Sequence, residues 1–330
     1  GTIILARLLT PSQYGLFTVA FMPPTLIGLF RDWGINFSVI RYLAQYKSNN
    51  NITAAKRVLI SGLLCESVLG ILLSVACFSL SSFLALNVFN RPEVQPLIGI
   101  TSITILAGAL FTFAQSTFTG FEKIELSSLT MIIQSGFKSF LAPILVLLGY
   151  GTLGAVLGYT TAFVISSLLG ILTIYVLFHK NLRQEGDYSN NLASTFKTML
   201  KYGLPLYIST LLGGLLAQFY NFMIAIYCTD FLIGNYQVAI NFSVLINFFT
   251  TPITTVLFPV FSKLDPEKEM KTLRTIFQSS IKYACLVTIP ATAAIMVLST
   301  PLTLTLFGEK YTYAPFFVTL YAISYLYAAL

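Results

Sequence analysis

The sequence predicts an all-α, polytopic membrane protein. It would be built as two six-helix lobes in parallel pseudo-repeat around a central cavity, with the second lobe truncated. Three observations predict this. Apolar runs near the ~20 residues needed to cross a bilayer recur along the whole chain. Charge hardly interrupts them: 56% of residues are hydrophobic and 9% charged, with a mean hydropathy of +0.80. A soluble domain carries about 25% charged residues. Finally, short stretches of the two halves match at a spacing of 218–219 residues.

The runs are too long and too evenly apolar for barrel strands, which are about 10 residues of alternating polarity. Helices remain, because a backbone in lipid must satisfy its own polar groups. Span 1 ends near Leu9. Span 2 covers Tyr14–Ile40, span 3 Val58–Leu80, span 4 Leu97–Thr119, span 5 Leu129–Leu148 and span 6 Thr152–Phe178. After the most polar stretch come span 7, Tyr202–Tyr227, span 8, Gly234–Val260, and span 9, Ile276–Leu298. Span 10 starts near Tyr313. Three regions follow: an N-terminal lobe at 1–178, a cytoplasmic interfacial linker at 179–201, and an incomplete C-terminal lobe at 202–330. The chain opens on Gly1 without a basic leader and stops at Leu330 inside an apolar run, so a piece of a longer protein is expected.

Basic residues orient the spans. Arg41, Lys47, Lys56 and Arg57 cluster between spans 2 and 3, Lys180, Arg183, Lys197 and Lys201 around the 6–7 linker, and Lys263, Lys268, Lys271 and Arg274 between spans 8 and 9. The even-numbered loops are therefore expected on the cytoplasmic side. The 4–5 loop (Glu122, Lys123, Glu125) is placed there by alternation alone. The net charge of +7 follows from these loops and does not point to nucleic acid. Asn51-Ile52-Thr53 is a glycosylation triplet on the wrong side to be used.

The repeat rests on two matches. Tyr14–Ala20 sits over Ile233–Ala239, and Leu84–Phe89 over Leu302–Phe307 at an offset one residue shorter. An offset of six spans preserves orientation, so the halves would be related by an axis along the membrane normal, an arrangement that encloses a cavity opening to alternate sides.

Four further stretches resemble a known family. Ala6-Arg7-Leu8-Leu9-Thr10-Pro11-Ser12-Gln13-Tyr14-Gly15 resembles the opening of oligosaccharide flippases and polysaccharide transporters. Asp32-Trp33-Gly34-Ile35 with Val39–Ala44, Leu257–Leu264 and Leu306–Ala314 resemble later segments in the same order. That family of polysaccharide biosynthesis membrane proteins lies in the multidrug/oligosaccharidyl-lipid/polysaccharide exporter superfamily. The resemblance implies a plasma-membrane transporter. It would flip polyprenyl- or dolichyl-phosphate-linked oligosaccharide from the cytoplasmic to the outer leaflet by alternating access. Its partners would be that lipid-linked substrate, membrane lipids and the glycosyltransferases of the same pathway, with no cofactor.

A charge at a helix centre costs about 2.5–3.5 kcal/mol on insertion scales and marks a functional candidate. Lys138 and Glu66 fall at similar depth in spans 5 and 3. They would either pair or leave Lys138 to bind a substrate phosphate. Arg31 and Asp32 fall low in span 2, below Pro23-Pro24, which should kink it. They would pair at the interface, or Arg31 would meet the phosphate with its planar fork. At the repeat offset their counterparts are Thr250 and Thr251, so packing symmetry does not require them. Arg7, at the outer end of span 1, either anchors there or adds a third phosphate contact. Glu66 or Asp32 would serve as the site for H⁺ or Na⁺ in the alternative reading, a cation-coupled small-molecule or multidrug exporter. Gln115, Gln134, Gln218, Asn221, Asn241 and Asn247 are candidates for sugar hydroxyls or for bonds between helices.

Cys65, Cys77, Cys228 and Cys285 are scattered, and with one His they suggest no metal site. The sequence carries no Walker loop, zinc signature or nucleophile elbow, so it reads as a transporter and not an enzyme. A glycosyltransferase or polymerase would need a large outer loop with catalytic acids; a scaffold without transport is the remaining rival.

Overall fold

The structure, a computed structural model, describes residues 1–179, 192–242 and 270–327. Every regular element in the described residues is helical: α1 (Thr2–Leu8), α2 (Pro11–Gly28), α3 (Ile35–Ser48), α4 (Ile52–Phe83), α5 (Val94–Thr101), α6 (Ile103–Gly120), α7 (Ile124–Leu145), α8 (Gly151–His179), α9 (Leu192–Tyr227), α10 (230–242), α11 (Met270–Val297), α12 (Ser299–Phe307) and α13 (Ala314–Tyr327). Five of the described helical stretches are long and apolar enough to cross a membrane. The protein is a multi-pass membrane protein.

Span 2 is not one helix. Pro23 and Pro24 both sit inside α2, and the interruption comes later, at residues 29–34. Trp33 (φ 47°) and Gly34 (φ 79°) turn the backbone through the left-handed region there. A Cβ on Gly34 would collide with the carbonyl of Gly203, and one on Gly203 with that of Gly34, so α3 begins where only two glycines can cross. Asp32 Oδ1 accepts from the Asn36 amide at 3.0 Å, placing a carboxylate on the orphan N–H groups of α3.

By packing the chain forms two units, residue 1 with 16–228, and residues 2–15 with 229–330. These are packing units and do not coincide with the lobes read from the repeat.

In the first unit α4 has two faces of opposite composition. Its buried stripe includes Ala55, Gly62, Glu66, Gly70, Cys77 and Ser81, small or polar at helical spacing, with Val58 and Leu59 joining the core at its start. Its exposed stripe is Leu64, Val68, Leu72, Val75 and Phe78. The second stripe is apolar enough to face hydrocarbon, and close helix packing needs the first. Gly62 admits Phe113 and Val39, and Gly70 admits Leu106 and Ala109. The core gathers Ile35, Val39, Leu43, Val58, Leu59, Phe113 and Met199 from α3, α4, α6 and α9. At the end of the helices nearest the 2–3 loop, Lys47 bridges to Glu122 at 2.7 Å. The 2–3 and 4–5 loops therefore share one face, as alternation requires. Asn51 caps α4, its side chain accepting from the Ala54 amide.

In the second unit the repeat becomes geometric. α2 starts at Pro11 and α10 at 230, 219 residues apart. Gly15 packs against the Asp230 carbonyl, and Gly234, its counterpart, against the Pro11 carbonyl. Each contact is the other with the halves exchanged, the signature of a two-fold axis. Tyr14 and its counterpart Ile233 are both buried beside this crossing.

Candidate functional site

The break at 29–34 puts Arg31 and Asp32 off the helical spiral and turns them toward α4 and α6. Arg31, half-buried, donates from Nη1 to the Ile105 carbonyl (3.1 Å) and from Nη2 to Thr112 Oγ1 (3.0 Å). Gly108 makes the room, since a Cβ there would stand 2.7 Å from Arg31 Nη1. A guanidinium has five N–H donors, so this anchoring fixes the fork on α6 and leaves donors for an anionic oxygen.

Glu66 is fully buried. Its Oε1 accepts from Asn36 Nδ2 at 2.8 Å, while Oε2 has no donor. Asn36 touches both acids, its backbone N–H donating to Asp32 Oδ1 and its side chain to Glu66. The break thus assembles one cation, two carboxyls and an amide from α2–α3 and α4. Sequence reading found three of the four. Asn36 lay in an apolar segment with nothing to flag it until α4 was packed against it.

Lys138 does not pair with Glu66. Its ammonium lies 4.3 Å from the centroid of the Tyr159 ring, which itself meets Phe17 edge-on at 4.8 Å. Glu66 has a neutral donor in Asn36 and needs no cation, and Lys138 gains a cation–π contact that keeps its charge half-buried between α7 and α8. Tyr159, the second missed residue, looked like one more aromatic in an apolar run.

The other candidates disperse. Gln115 bonds Ser127 and Thr130 Oγ1, tying α6 to α7. Gln218 accepts weakly from Asn221 and Thr25, each at 3.4 Å. Asn241 donates to Tyr14 Oη at 3.0 Å. Gln134 Nε2 is buried without an acceptor. Arg7 is exposed, and its carbonyl faces Lys310 Nζ at 3.4 Å. Asn247, Thr250, Thr251, Leu257–Leu264, the basic residues Lys180, Arg183, Lys263 and Lys268, and most of the linker lie outside the described residues. Beside the break an apolar groove of about 390 Å³ is lined by Trp33, Leu64, Cys65, Val68 and Phe196.

Comparison with known proteins gives these elements a context. A model of the family described as polysaccharide biosynthesis protein matches residues 1–265. The lipopolysaccharide biosynthesis protein WzxC of Escherichia coli K12 is 27% identical over 317 residues, 93% of this chain. The chain spans 59% of the length of that curated relative. Among solved structures, an inward-facing multidrug resistance MATE family transporter of the MOP superfamily superposes with a TM-score of 0.74 at 18% identity, over 99% of this chain and 78% of the other. A MOP superfamily transporter from Pyrococcus furiosus with a binding pocket of reversed polarity gives 0.55 at 17% identity, over 99% and 83%. At these identities the likeness is one of fold.

Proposed function

The chain belongs to the polysaccharide biosynthesis protein family, and we propose that it forms the transport core of a flippase for lipid-linked oligosaccharide. The observation that carries this reading is Arg31. It is held by two bonds on α6 with a glycine cleared to receive it, and the repeat does not require it, since its counterpart is a threonine. A fixed guanidinium recognises phosphate oxygens through parallel N–H bonds. The substrate is a polyprenyl- or dolichyl-linked saccharide, entering from the side of the basic loops. Arg31 meets its phosphate first and Lys138 shares the charge further along, while the lipid tail stays in hydrocarbon and the glycan crosses a hydrated cavity between the lobes at 1–178 and 202–330. Arg7 adds a cation at the far end. Glycosyltransferases of the same pathway supply the substrate.

The Glu66–Asp32 carboxyls supply the coupling. Glu66, fully buried, or Asp32, held at the start of α3, binds the driving H⁺ or Na⁺. The same pair favours a second reading, a cation-coupled small-molecule exporter of the superfamily, in which Glu66 carries the driving ion and Arg31 is structural.

The test is the leaflet of the glycan lipid in cells lacking the gene, read with a leaflet-selective sugar probe. Accumulation on the cytoplasmic leaflet, restored by the intact gene and not by Arg31→Ala, supports flipping. Normal delivery combined with increased drug sensitivity would replace it with the exporter. Arg31→Ala with wild-type flipping would remove Arg31 from the phosphate site.

A further inference from the structure

Both packing units contain a side chain that reaches onto the end of a helix from the other half of the repeat. In the first unit Arg91, between α4 and α5, bonds α9: Nη1 donates to the Ala225 carbonyl and Nη2 to that of Cys228 at 2.6 Å. In the second unit Tyr311, between α12 and α13, bonds α1: its hydroxyl donates to the Ala6 carbonyl at 2.6 Å. Lys310 beside it points Nζ at the Arg7 carbonyl.

These are one device made twice. Arg91 stands three residues before α5 begins at Val94, and Tyr311 three residues before α13 begins at Ala314. Ala225 lies two residues before the end of α9, and Ala6 two before the end of α1. Donors and acceptors are each related by the repeat offset, within a residue. The turn before each donor passes through the left-handed region, at Asn90 (φ 53°), one residue before Arg91, and at Gly308 (φ 89°), three before Tyr311. Ala225 and Ala6 present last-turn carbonyls, which have no partner in their own helix, and Cys228 follows α9 directly. A cation there also complements the negative end of the helix dipole.

All four ends lie in loops that the basic-residue rule places outside: 1–2, 3–4, 7–8 and 9–10. We propose that Arg91 and Tyr311 are paired latches that hold α9 and α1 in place at the outer end of the transporter and release when that end opens. A lone structural bond needs no twin. Two equivalent bonds, each joining a loop of one repeat half to the first helix of the other, are placed to make and break together when the halves rock. The physical chemistry suits release as well, because water entering an open outer end satisfies the freed carbonyls of both helices. This inference rests on the alternating-access reading above, but its first test reads conformation and does not depend on which substrate moves.

Cys228 sits at the first latch, half-buried, and serves as the reporter in the intact protein with Cys65, Cys77 and Cys285 replaced by Ser. In right-side-out vesicles a membrane-impermeant maleimide should label Cys228 about tenfold faster when Arg91→Gln and Tyr311→Phe are combined, the size expected for lost charge-assisted bonds. Arg91→Lys should fall between. An unchanged labelling rate in the double variant would overturn the proposal. A second experiment covers a variant that fails to fold. Arg91→Cys is joined to native Cys228 by a short, cleavable bifunctional thiol reagent. Transport should stop on cross-linking and return on cleavage. Transport that continues through the cross-link shows a static brace and refutes the latch, whatever the fate of the flippase reading.

Discussion

Glu66 offers the sharpest test of how the break is built. The side chain is fully buried and takes one bond from Asn36. Glu66→Ala removes that acceptor and strands the Asn36 amide, a cost of about 1–3 kcal/mol. The space left adds roughly 1 kcal/mol, taking ~24 cal/mol per Å³ over a side-chain remnant of ~50 Å³. At about 2–4 °C per kcal/mol, the apparent Tm in detergent should fall by roughly 5–15 °C. Glu66→Gln keeps an oxygen for the Asn36 side chain and removes the carboxyl charge. It should stay within about 1 kcal/mol of the parent. Thermal unfolding of the three proteins side by side, with a fluorescence or size-exclusion readout, decides the matter. Were Gln to cost as much as Ala, the acceptor for Asn36 would not be what Glu66 contributes, and its carboxylate itself would be required. The same Gln variant should show the largest loss of transport relative to its loss of stability.

Four further outcomes follow from other parts of the molecule. Gly15→Ala and Gly234→Ala should each lower folded yield sharply and to similar degrees, because each Cβ strikes a carbonyl at the start of the other's helix across one pseudo-symmetric crossing; expression and Tm of the two singles provide the check. Lys138→Met should keep the fold, since an apolar stem can still lie on Tyr159, and should lower transport; unchanged transport would take Lys138 out of the phosphate path. Asn235 Oδ1 accepts from the Tyr313 and Ala314 amides, so Asn235→Ala should destabilise α13 by about 1 kcal/mol, seen as faster hydrogen exchange in its first turn. Lys47 holds the Glu122 carboxyl below the usual carboxylate range, through a hydrogen bond and its charge. The stabilisation is therefore present above the unfolded carboxylate value near ~4.3 and lost as pH falls through the lowered folded value. The Tm gap between the parent and Glu122→Gln should be small and flat at neutral pH, close on acidification, and vanish in ~1 M salt.

The helical, membrane-spanning class was legible because the bilayer imposes it locally: run length and hydropathy select the solvent before any contact forms. The repeat was legible for a related reason, since two short matches at one offset mark equivalent positions without requiring their structure, and the Gly15–Asp230 and Gly234–Pro11 contacts realise that offset in space. The candidate ions were equally visible as charges where charge is costly. Their partners were not. The prolines in span 2 pointed to a kink at 23–24, yet α2 runs through them, and the chain breaks where Gly34 meets Gly203, a contact between residues 169 positions apart. Similar depth suggested a Glu66–Lys138 pair, but depth is one coordinate; rotation about each helix axis, set by packing, sent Glu66 to Asn36 and Lys138 to Tyr159. Arg91 and Tyr311 gave no signal, because what distinguishes them is a backbone carbonyl on a distant helix end. By itself the sequence determined the solvent, the spans and the repeat, which depend on composition and period. The tertiary structure alone decided which charge meets which group, because that depends on the angle at which helices far apart in sequence come to lie against each other.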